Sequence, residues 1–428
     1  MRGGQGERRF FRVCMKWLAN KHTDVAARNM KYVSEFGRWD DLYLFMGTRL
    51  EKEAFELMKE QFYLDLVSKT PSLLGKWLKS ENTSSAESRK LATMTRVAFG
   101  LSPRQYRKSL SLLRERIKVV ERLMSTGRWD EIEFDKIPSK AGLVYRNAFA
   151  RRDIIKAKYE AFAKNEKTTV NAKSLYPYEV VRQALGAAHY SFDNVNRLMV
   201  NKYWENLADY FKGATLNALA VVDTSGSMTW GGAGVKPIDV AVSLGLYCAE
   251  RAKGPFANHY ISFSSKPQLI ETKGVDFCDK VQRIVKTNLC ENTDIEATFD
   301  MILNTARRYN CAQRDLPENI IIISDMEFDA ARGSRYGYYN AADYARTTST
   351  RTLMENIERK WNRYGYQMPK LIFWNVDARN DNIPMTVKDG VSFVSGFSPV
   401  LFEQIIKGKT AFDLMYDKLD SERYACIK

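Results

Sequence analysis

The pattern of apolar and polar positions changes once along the chain, near Gly213. Before this point apolar residues recur every three or four positions, the spacing of amphipathic helices, in segments separated by Gly, Pro, Ser and Asn. The periodicity predicts helices at residues 7–20, 24–35, 51–67, 85–99, 103–125, 140–151, 153–165, 177–189 and 193–212. No strand pattern interrupts them, so residues 1–213 are predicted to form an all-helical domain.

After Gly213, short apolar runs alternate with helical segments. Strands are predicted at residues 216–222, 259–264, 268–271, 319–324, 370–376 and 391–395. Helices are predicted near residues 238–252, 276–286, 295–309, 343–363 and 399–407. This alternation indicates a doubly wound α/β domain over residues 214–428.

Two of the predicted strands end in an acid, and hydroxyl residues lie close by. Asp223, Ser225 and Ser227 form an Asp-x-Ser-x-Ser turn, which offers one carboxylate and two hydroxyls to a hard cation such as Mg²⁺. Asp325 ends the other strand, and the carboxyl ends of parallel strands meet at one edge of a sheet. Thr293 precedes a helical run, so its hydroxyl is expected at a loop-to-helix junction. The sequence therefore predicts an oxygen-lined cation site.

These five residues, in this order, resemble the metal-ion-dependent adhesion site of a von Willebrand factor A domain. The resemblance implies that the serine and threonine hydroxyls bind Mg²⁺ or Mn²⁺ directly, while the carboxylates act directly or through water. Taken alone, a turn of Asp, Ser and Gly is also a common structural turn. Met326 follows Asp325 where many relatives have glycine.

Bulk composition describes a folded chain of 428 residues that is 45% hydrophobic and strongly basic. No run of 18 apolar residues exists and the first residues lack signal-peptide character, so a cytoplasmic protein without a membrane partner is expected. The six cysteines are scattered without a Cys-x-x-Cys pair, which suggests neither a zinc site nor a disulfide framework. They are interpreted as reduced thiols.

Charge is distributed unevenly. Residues 1–216 contain 40 Lys and Arg against 25 Asp and Glu, an excess of 15, whereas residues 217–428 contain 26 of each. Such asymmetry favours a polyanionic partner for the first half, with nucleic acid the first candidate and an acidic membrane surface the second. A basic surface that only aids solubility is the other interpretation.

The segment at residues 103–125 is the best-marked helix. Ser102, Pro103 and Gln105 have the positions of a capping box with proline at the first helical residue. Tyr106, Leu110, Leu113, Ile117, Val120 and Met124 form its apolar stripe. The opposite side carries the predicted phosphate contacts Arg104, Arg107, Lys108, Arg114, Lys118 and Arg122, offset only by Glu115. A second basic cluster at a predicted helix junction includes Arg146, Arg151, Arg152, Lys156 and Lys158. Both clusters are also compatible with ordinary solvated faces.

An internal echo indicates repeats. Residues 37–42, Gly-Arg-Trp-Asp-Asp-Leu, return as residues 127–132, Gly-Arg-Trp-Asp-Glu-Ile, 90 residues later. Paired-helix repeats of the HEAT kind span roughly 40–47 residues, so this distance equals about two repeats. In each copy Gly is expected to end a helix, Trp to pack in the corner and Asp to begin the next element. The pattern predicts a curved stack of helix pairs.

Helical repeats with this corner, followed by the Asp-x-Ser-x-Ser domain, resemble the Ro ribonucleoprotein family, and especially Ro-like proteins of unassigned function. The motifs at residues 2–8, 76–78, 373–379 and 394–399 also belong to that pattern. The resemblance implies a ring of helical repeats that holds single-stranded or misfolded RNA ends in a basic hole, with structured small RNA outside. Relatives usually have further helices before the motif at residue 2, so an open ring or a truncated start is expected.

Two functions are compatible with these features. The first is a non-enzymatic, Ro-like RNA-binding protein whose metal site captures a carboxylate from a partner or a neighbouring domain. The alternative is a protein-interaction scaffold without RNA, for example a partner of an AAA+ ATPase. Catalysis is disfavoured, because the three histidines lie in unrelated segments and hydroxyl-rich ligation leaves little carboxylate charge to activate water. The sequence contains neither a phosphate loop nor a nucleophile elbow.

Overall fold

The computed structural model divides the chain into two compact units. Unit 1 consists of Met1–Ile137, Asp153–Ile155 and Tyr416–Lys428, and unit 2 of Pro138–Arg152 and Lys156–Met415. The structure describes residues 8–187, 190–211, 217–229, 234–252, 255–263, 266–287, 295–325, 327–328, 339–340, 348–377, 387–388, 391–402, 405 and 411–428. None of the helices in these ranges is long and apolar enough to cross a membrane.

Short helices and 3₁₀ turns build unit 1. The helices are α1 Arg8–Lys21, α2 Thr23–Asn29, α3 Val33–Phe36, α4 Glu51–Val67, α5 Leu74–Trp77, α6 Ala86–Ala98, α7 Pro103–Arg116 and α8 Val120–Ser125. The 3₁₀ turns are Met30–Tyr32, Trp39–Phe45, Trp129–Glu131 and Phe134–Lys136. One apolar core joins α1 to α7, with Phe45, Met58, Phe62 and Tyr106 fully buried in it. The predicted helix at residues 51–67 is confirmed to the residue.

The predicted capping box begins α7. Ser102 Oγ accepts from the Gln105 amide at 3.3 Å, and Gln105 Oε1 accepts from the Ser102 amide at 2.9 Å. The predicted continuous helix to residue 125 is wrong, however, because α7 ends at Arg116 and α8 begins at Val120. Lys118 adopts a left-handed φ of +46° between them. The amides of Lys118 and Val119 donate to the carbonyls of Glu115 and Arg114, which is the Schellman pattern of a helix C-terminus.

The first Gly-Arg-Trp-Asp-Asp corner lies in the core of unit 1. Gly37 follows the end of α3, Trp39 is buried, and Asp41 accepts from the Arg38 amide at 3.0 Å. Asp41 is completely buried and pairs with Arg8 at 2.9 Å and Arg12 at 3.0 Å. These ion pairs connect α1 to the corner and therefore have a structural role. The curved stack of helix pairs stays a prediction.

Unit 2 combines helices with a large sheet. Its helices include α9 Ser139–Arg151, α10 Asp153–Lys164, α11 Pro177–Gly186, α12 Val195–Glu205, α13 Pro237–Arg251, α14 Phe277–Thr287, α15 Ile295–Arg308 and α16 Thr348–Arg363. The first three residues of α10 are assigned to unit 1. A last helix, α17, spans Ala411–Leu419, and its residues from Tyr416 onward are assigned to unit 1. The strands are β1 Ala218–Val222, β2 His259–Ser262, β3 Leu269–Glu271, β4 Asn319–Ser324, β5 Glu327–Phe328, β6 Tyr339–Asn340, β7 Lys370–Asn375, β8 Val387–Lys388 and β9 Val391–Ser395.

Seven strands form one sheet in the order β3-β2-β1-β4-β7-β9-β8. Strands β2, β1, β4, β7 and β9 are parallel, whereas the edge strands β3 and β8 are antiparallel to their neighbours. Strands β5 and β6 form a separate pair. The predicted architecture of helices followed by an α/β domain is confirmed, and the parallel centre places the ends of β1 and β4 side by side.

Both faces of the sheet are covered. Leu219 and Val221 of β1 lie in a core with Phe299 of α15 and Trp361 of α16. On the opposite face β1 contacts α13, where Gly245 faces Val222 so closely that a Cβ would lie 2.3 Å from Val222 Cγ2. Only glycine permits this approach. Strand β1, which leads to the candidate site, is therefore packed against helices on both faces of the sheet.

Helices α11 and α12 belong to the same unit as the sheet and pack on α13 and α14. Trp204 stacks on Phe277 with ring centroids 4.2 Å apart and donates from Nε1 to Glu250 at 2.7 Å. Arg197 pairs with Asp276 through two hydrogen bonds. The predicted domain boundary at residues 213/214 thus lies inside unit 2, because the last helices of the first half bury their apolar faces against the α/β part.

Candidate metal site and basic surface

Asp223 follows the last residue of β1 and its carboxylate is completely buried. Because Val222 pairs with Ile323 of β4, Asp223 stands beside Ser324. Its Oδ2 accepts from Ser324 Oγ at 2.6 Å and its Oδ1 from the Ser225 amide at 2.9 Å. Each carboxylate oxygen keeps further lone pairs, so these bonds orient the group without exhausting it.

The two serine hydroxyls lie in the turn that follows Asp223. Ser225 Oγ and Ser227 Oγ are 3.1 Å apart, and both residues are half-buried. Two ligands at right angles on an octahedral Mg²⁺, each roughly 2.1 Å from the ion, would be about 3.0 Å apart. The hydroxyls therefore have the spacing that adjacent Mg²⁺ ligands require.

The buried residue Met228 connects this turn to the end of β4. It is fully buried, its amide donates to the Ser225 carbonyl at 3.1 Å, and its sulfur accepts from the Asp325 amide at 3.2 Å. Asp325 directly follows β4 and is buried. The structure thus brings together Asp223, Ser225, Ser227 and Asp325, while Thr293, the fifth predicted ligand, lies outside the described residues.

Electrostatics favour a cation at this edge of the sheet. The pKa of Asp223 is raised to about 6, mainly because the carboxylate is buried; hydrogen bonds from Ser324 and Ser225 oppose this rise, and the charge of Asp325 adds to it. A divalent ion would relieve both the burial and the mutual repulsion of the carboxylates. The described residues contain no cluster of three His, Cys, Asp or Glu side chains, so a metal here would depend on the hydroxyls. The oxygen-only donor set fits Mg²⁺ or Mn²⁺.

The predicted phosphate contacts on α7 and α8 fall into two groups. Arg104, Arg107 and Lys108 are exposed on the first turns of α7, and their side chains form no ion pair or hydrogen bond with the described residues. Lys118 is also exposed, but it occupies the left-handed position after α7 and lies 4.0 Å from Glu133. Among the described residues, the side chains of Arg104, Arg107 and Lys108 therefore have no ion-pair or hydrogen-bond partner.

Arg114 and Arg122 have different surroundings. Arg114 donates from Nε to the Gly75 carbonyl at 2.9 Å, from Nη1 to Ser80 Oγ at 2.9 Å and from Nη2 to the Leu78 carbonyl at 2.8 Å. Arg122 donates to Ser111 Oγ at 3.1 Å. Arg114 therefore joins α7 to α5 and to the segment that follows α5, a structural role that the helix-face pattern did not reveal.

The second basic cluster lies in unit 2. Arg151 and Arg152 are exposed where α9 meets α10. Arg146 is half-buried and donates to the carbonyl of Leu143 at 2.7 Å, and burial lowers its pKa. The predicted contacts Arg151 and Arg152 thus belong to a different compact unit from α7.

The chain is similar to families described by their lack of an assigned function. A profile described as Domain of unknown function (DUF7788) matches residues 217–424, and one described as Domain of unknown function (DUF2828) matches residues 72–215. The chain is 31% identical over 355 residues to Uncharacterized protein L728 of Acanthamoeba polyphaga mimivirus. This match covers 79% of the chain and 58% of the viral protein, so the chain spans less than two thirds of its length.

A solved structure similar to this one is the crystal structure of the Deinococcus radiodurans RO (RSR) protein. The alignment covers 94% of each chain with a TM-score of 0.42 and 14% sequence identity.

Proposed function

We propose that the protein binds RNA through the basic helical part of the chain and acts as a binding protein, not as an enzyme. One observation supports this most directly: Arg104, Arg107 and Lys108 lie exposed together on α7 with no acidic partner among the described residues. An ordinary solvated helix face gains stability by mixing charges of both signs. Cations without acidic partners forgo that gain, and phosphates supply the missing counter-charge.

The charge of both units supports the same function. Unit 1 has 30 Lys and Arg against 22 Asp and Glu, an excess of eight, and unit 2 has 36 against 29, an excess of seven. In unit 2 the excess comes entirely from residues before 217, which include Arg151 and Arg152. RNA contacts are therefore proposed for helices of both units.

The experiment compares two triple variants of the full chain. Arg104, Arg107 and Lys108 are replaced by Gln, and the matched control replaces Arg49, Lys52 and Lys90, which are also exposed and unpaired among the described residues. Binding of a single-stranded RNA is titrated at several salt concentrations. Each lost phosphate contact lowers the slope of log affinity against log salt by roughly 0.7, so the first variant should lose about 2. Equal slopes for both variants would refute the role of α7.

A second proposed function rests on the sheet edge. Asp223, Ser225, Ser227 and Asp325 would hold a Mg²⁺ or Mn²⁺ ion, with Thr293 as a further ligand, and a carboxylate of a protein partner would complete its coordination. The spacing of the two serine hydroxyls supports it. In this arrangement the protein is an RNA-binding adaptor; a scaffold that binds only proteins is the alternative.

Calorimetric titration of the metal-free protein with Mn²⁺ tests this site. Ser225→Ala should remove binding of one ion, whereas Thr229→Val should not, because the Thr229 hydroxyl lies in the same turn but donates to the Gly226 carbonyl at 2.7 Å. Both variants keep the buried anchor Met228, so folding should persist. Unchanged binding heat in Ser225→Ala would exclude the proposed ligands.

A further inference from the structure

A pocket of about 570 Å³ lies within unit 1, between α5, the segment at residues 80–82, α7 and α8. Small-molecule sites commonly have volumes of roughly 300–1,000 Å³. The charged side chains that line it are Lys76, Arg107, Arg114, Arg122, Glu81 and Glu121.

The break between α7 and α8 creates this pocket. In a continuous helix, residues 111 and 122 would be about 16 Å apart along the axis. The left-handed Lys118 interrupts the helix, and Arg122 Nη2 donates to Ser111 Oγ at 3.1 Å. Three arginines that a straight helix would spread along one face are thereby gathered around one cavity.

Their charges are not balanced by the acids of the pocket. Glu81 already pairs with Arg96 at 2.7 Å, and Glu121 lies 3.6 Å from Lys76. The described partners of Arg114 and Arg122 are neutral carbonyl and hydroxyl groups. Within the described part of the chain, the pocket therefore has three guanidinium groups without an acidic partner.

These guanidinium groups are also prepared to donate. Arg114 uses three of its five N–H groups to fix its position, and Arg122 uses one. Both residues line the same pocket, and the pKa of Arg114 is lowered by burial and further by the charge of Arg122. Fixed, adjacent guanidinium groups with free donors are suited to a phosphate.

Glu121 adds a different requirement. Its Oε2 is buried and accepts no hydrogen bond from the described residues, since Lys76 Nζ is too distant at 3.6 Å. A simple anion would leave this acceptor unsatisfied. A ligand that carries hydroxyl donors beside its phosphate would satisfy both parts of the pocket, and carboxylates bind ribose hydroxyls in this way in nucleotide sites.

We propose that this pocket binds a ribonucleotide, with its phosphate on Arg107, Arg114 and Arg122 and its ribose hydroxyls on Glu121. The ligand is either a free ribonucleotide or the phosphorylated end of an RNA, which present the same chemistry. This inference extends the proposed RNA binding. It rests on that proposal only if the ligand is the phosphorylated end of an RNA, because a free ribonucleotide could bind without it.

The test measures binding of adenosine monophosphate, its deoxy analogue, inorganic phosphate, and an oligoribonucleotide with and without a terminal phosphate. Arg107→Gln and Arg122→Gln should each weaken binding of the phosphate ligands roughly tenfold or more, because each removes a charged hydrogen bond. Lys52→Gln is the matched control: it removes one positive charge from an exposed residue of unit 1 that does not line the pocket and is not a proposed RNA contact. Its binding should change less than twofold.

Glu121→Ala removes the acceptor and should abolish a preference of about tenfold for the ribonucleotide over its deoxy analogue, while phosphate binding persists. Preference of the parent for the phosphorylated oligonucleotide over the free nucleotide identifies an RNA end as the source; the reverse identifies a free nucleotide. Binding of RNA without any effect of the terminal phosphate, the monophosphate or Arg122→Gln would overturn the pocket proposal and leave RNA binding intact. If the parent protein binds no RNA at all, the proposed function is overturned instead.

Discussion

Arg197 of α12 and Asp276, the residue before α14, form a bidentate ion pair with N–O distances of 2.6 and 2.7 Å. The Arg197 side chain is 5% exposed and that of Asp276 is 15% exposed. Asn201 donates to Asp276 at 2.9 Å, and the Asp279 amide donates at 2.8 Å, so Asp276 also caps α14. If the helices before residue 213 are an integral part of unit 2, this pair should contribute strongly to its stability.

The perturbation is a double-mutant cycle with Arg197→Met and Asp276→Asn. Asparagine keeps the helix cap, so the second change removes mainly the charge. Breaking a buried pair on one side typically costs about 3–5 kcal/mol, because the remaining charge stays buried without its partner. Removing both partners avoids that isolated charge, so the double variant should be about 2 kcal/mol more stable than the sum of the single losses implies.

Urea unfolding of the full chain, followed by tryptophan fluorescence and circular dichroism, measures these free energies. Trp204 stacks beside this pair and reports on it. The exposed pair of Arg28 and Asp24 is the control and should contribute less than about 0.5 kcal/mol. Single-variant losses that add within about 0.5 kcal/mol would refute the reasoning.

The loss of stability caused by Asp276→Asn should depend on pH. Burial alone would raise the pKa of Asp276, but hydrogen bonds from Arg197, the Asp279 amide and Asn201 lower it below its usual value. A carboxyl group with a lowered folded-state pKa stabilises the fold above its unfolded pKa of about 3.9 and loses this contribution as pH falls through the folded value. The effect of Asp276→Asn should therefore shrink below about pH 4.

Three further outcomes are expected. Lys118→Gly should raise the free energy of unfolding by about 0.5–1 kcal/mol in urea titrations, because glycine adopts the left-handed conformation without strain, whereas Lys118→Ala should not. Arg114→Met should lower it by about 2–4 kcal/mol through the loss of three hydrogen bonds, and Lys108→Met should leave it unchanged. In metal-free buffer, stability should fall as pH rises from about 4 through 6, because folded Asp223 retains a proton that the unfolded chain has lost; thermal melts of Asp223→Asn should lack this slope.

The central strands and the acids that follow them could be predicted because they depend on short, continuous patterns. An apolar run that stops at an acid specifies both the strand and the residue at its end, and β4 spans the predicted residues 319–324. Parallel pairing then brings Asp223 and Asp325 to one edge without any side-chain detail. Strands β5, β6 and β8 are two residues long, and no periodicity exists at that length.

The break after α7 could not be predicted from the same kind of pattern. The apolar stripe from Tyr106 to Met124 continues across it, and the left-handed residue is Lys118, where glycine would have signalled a helix end. Likewise, amphipathic α12 shows that one face is buried but not that Phe277 and Asp276 cover it. The first miss concerns a local backbone conformation at Lys118, and the second concerns contacts between segments distant in sequence.

An RNA-binding surface is harder to predict from sequence than a site at the end of a strand, as the cationic side chains of α7 show. The position of Asp223 follows from the sheet, whereas Arg107 and Arg114 occupy the same helix and differ in their exposure and in their partners. Arg114 fixes the carbonyls of Gly75 and Leu78, so its removal should disturb folding as well as binding. A variant set that combined Arg114 with Lys108 would therefore confuse unfolding with lost RNA contacts, and separate substitutions are needed before either residue is assigned to the RNA.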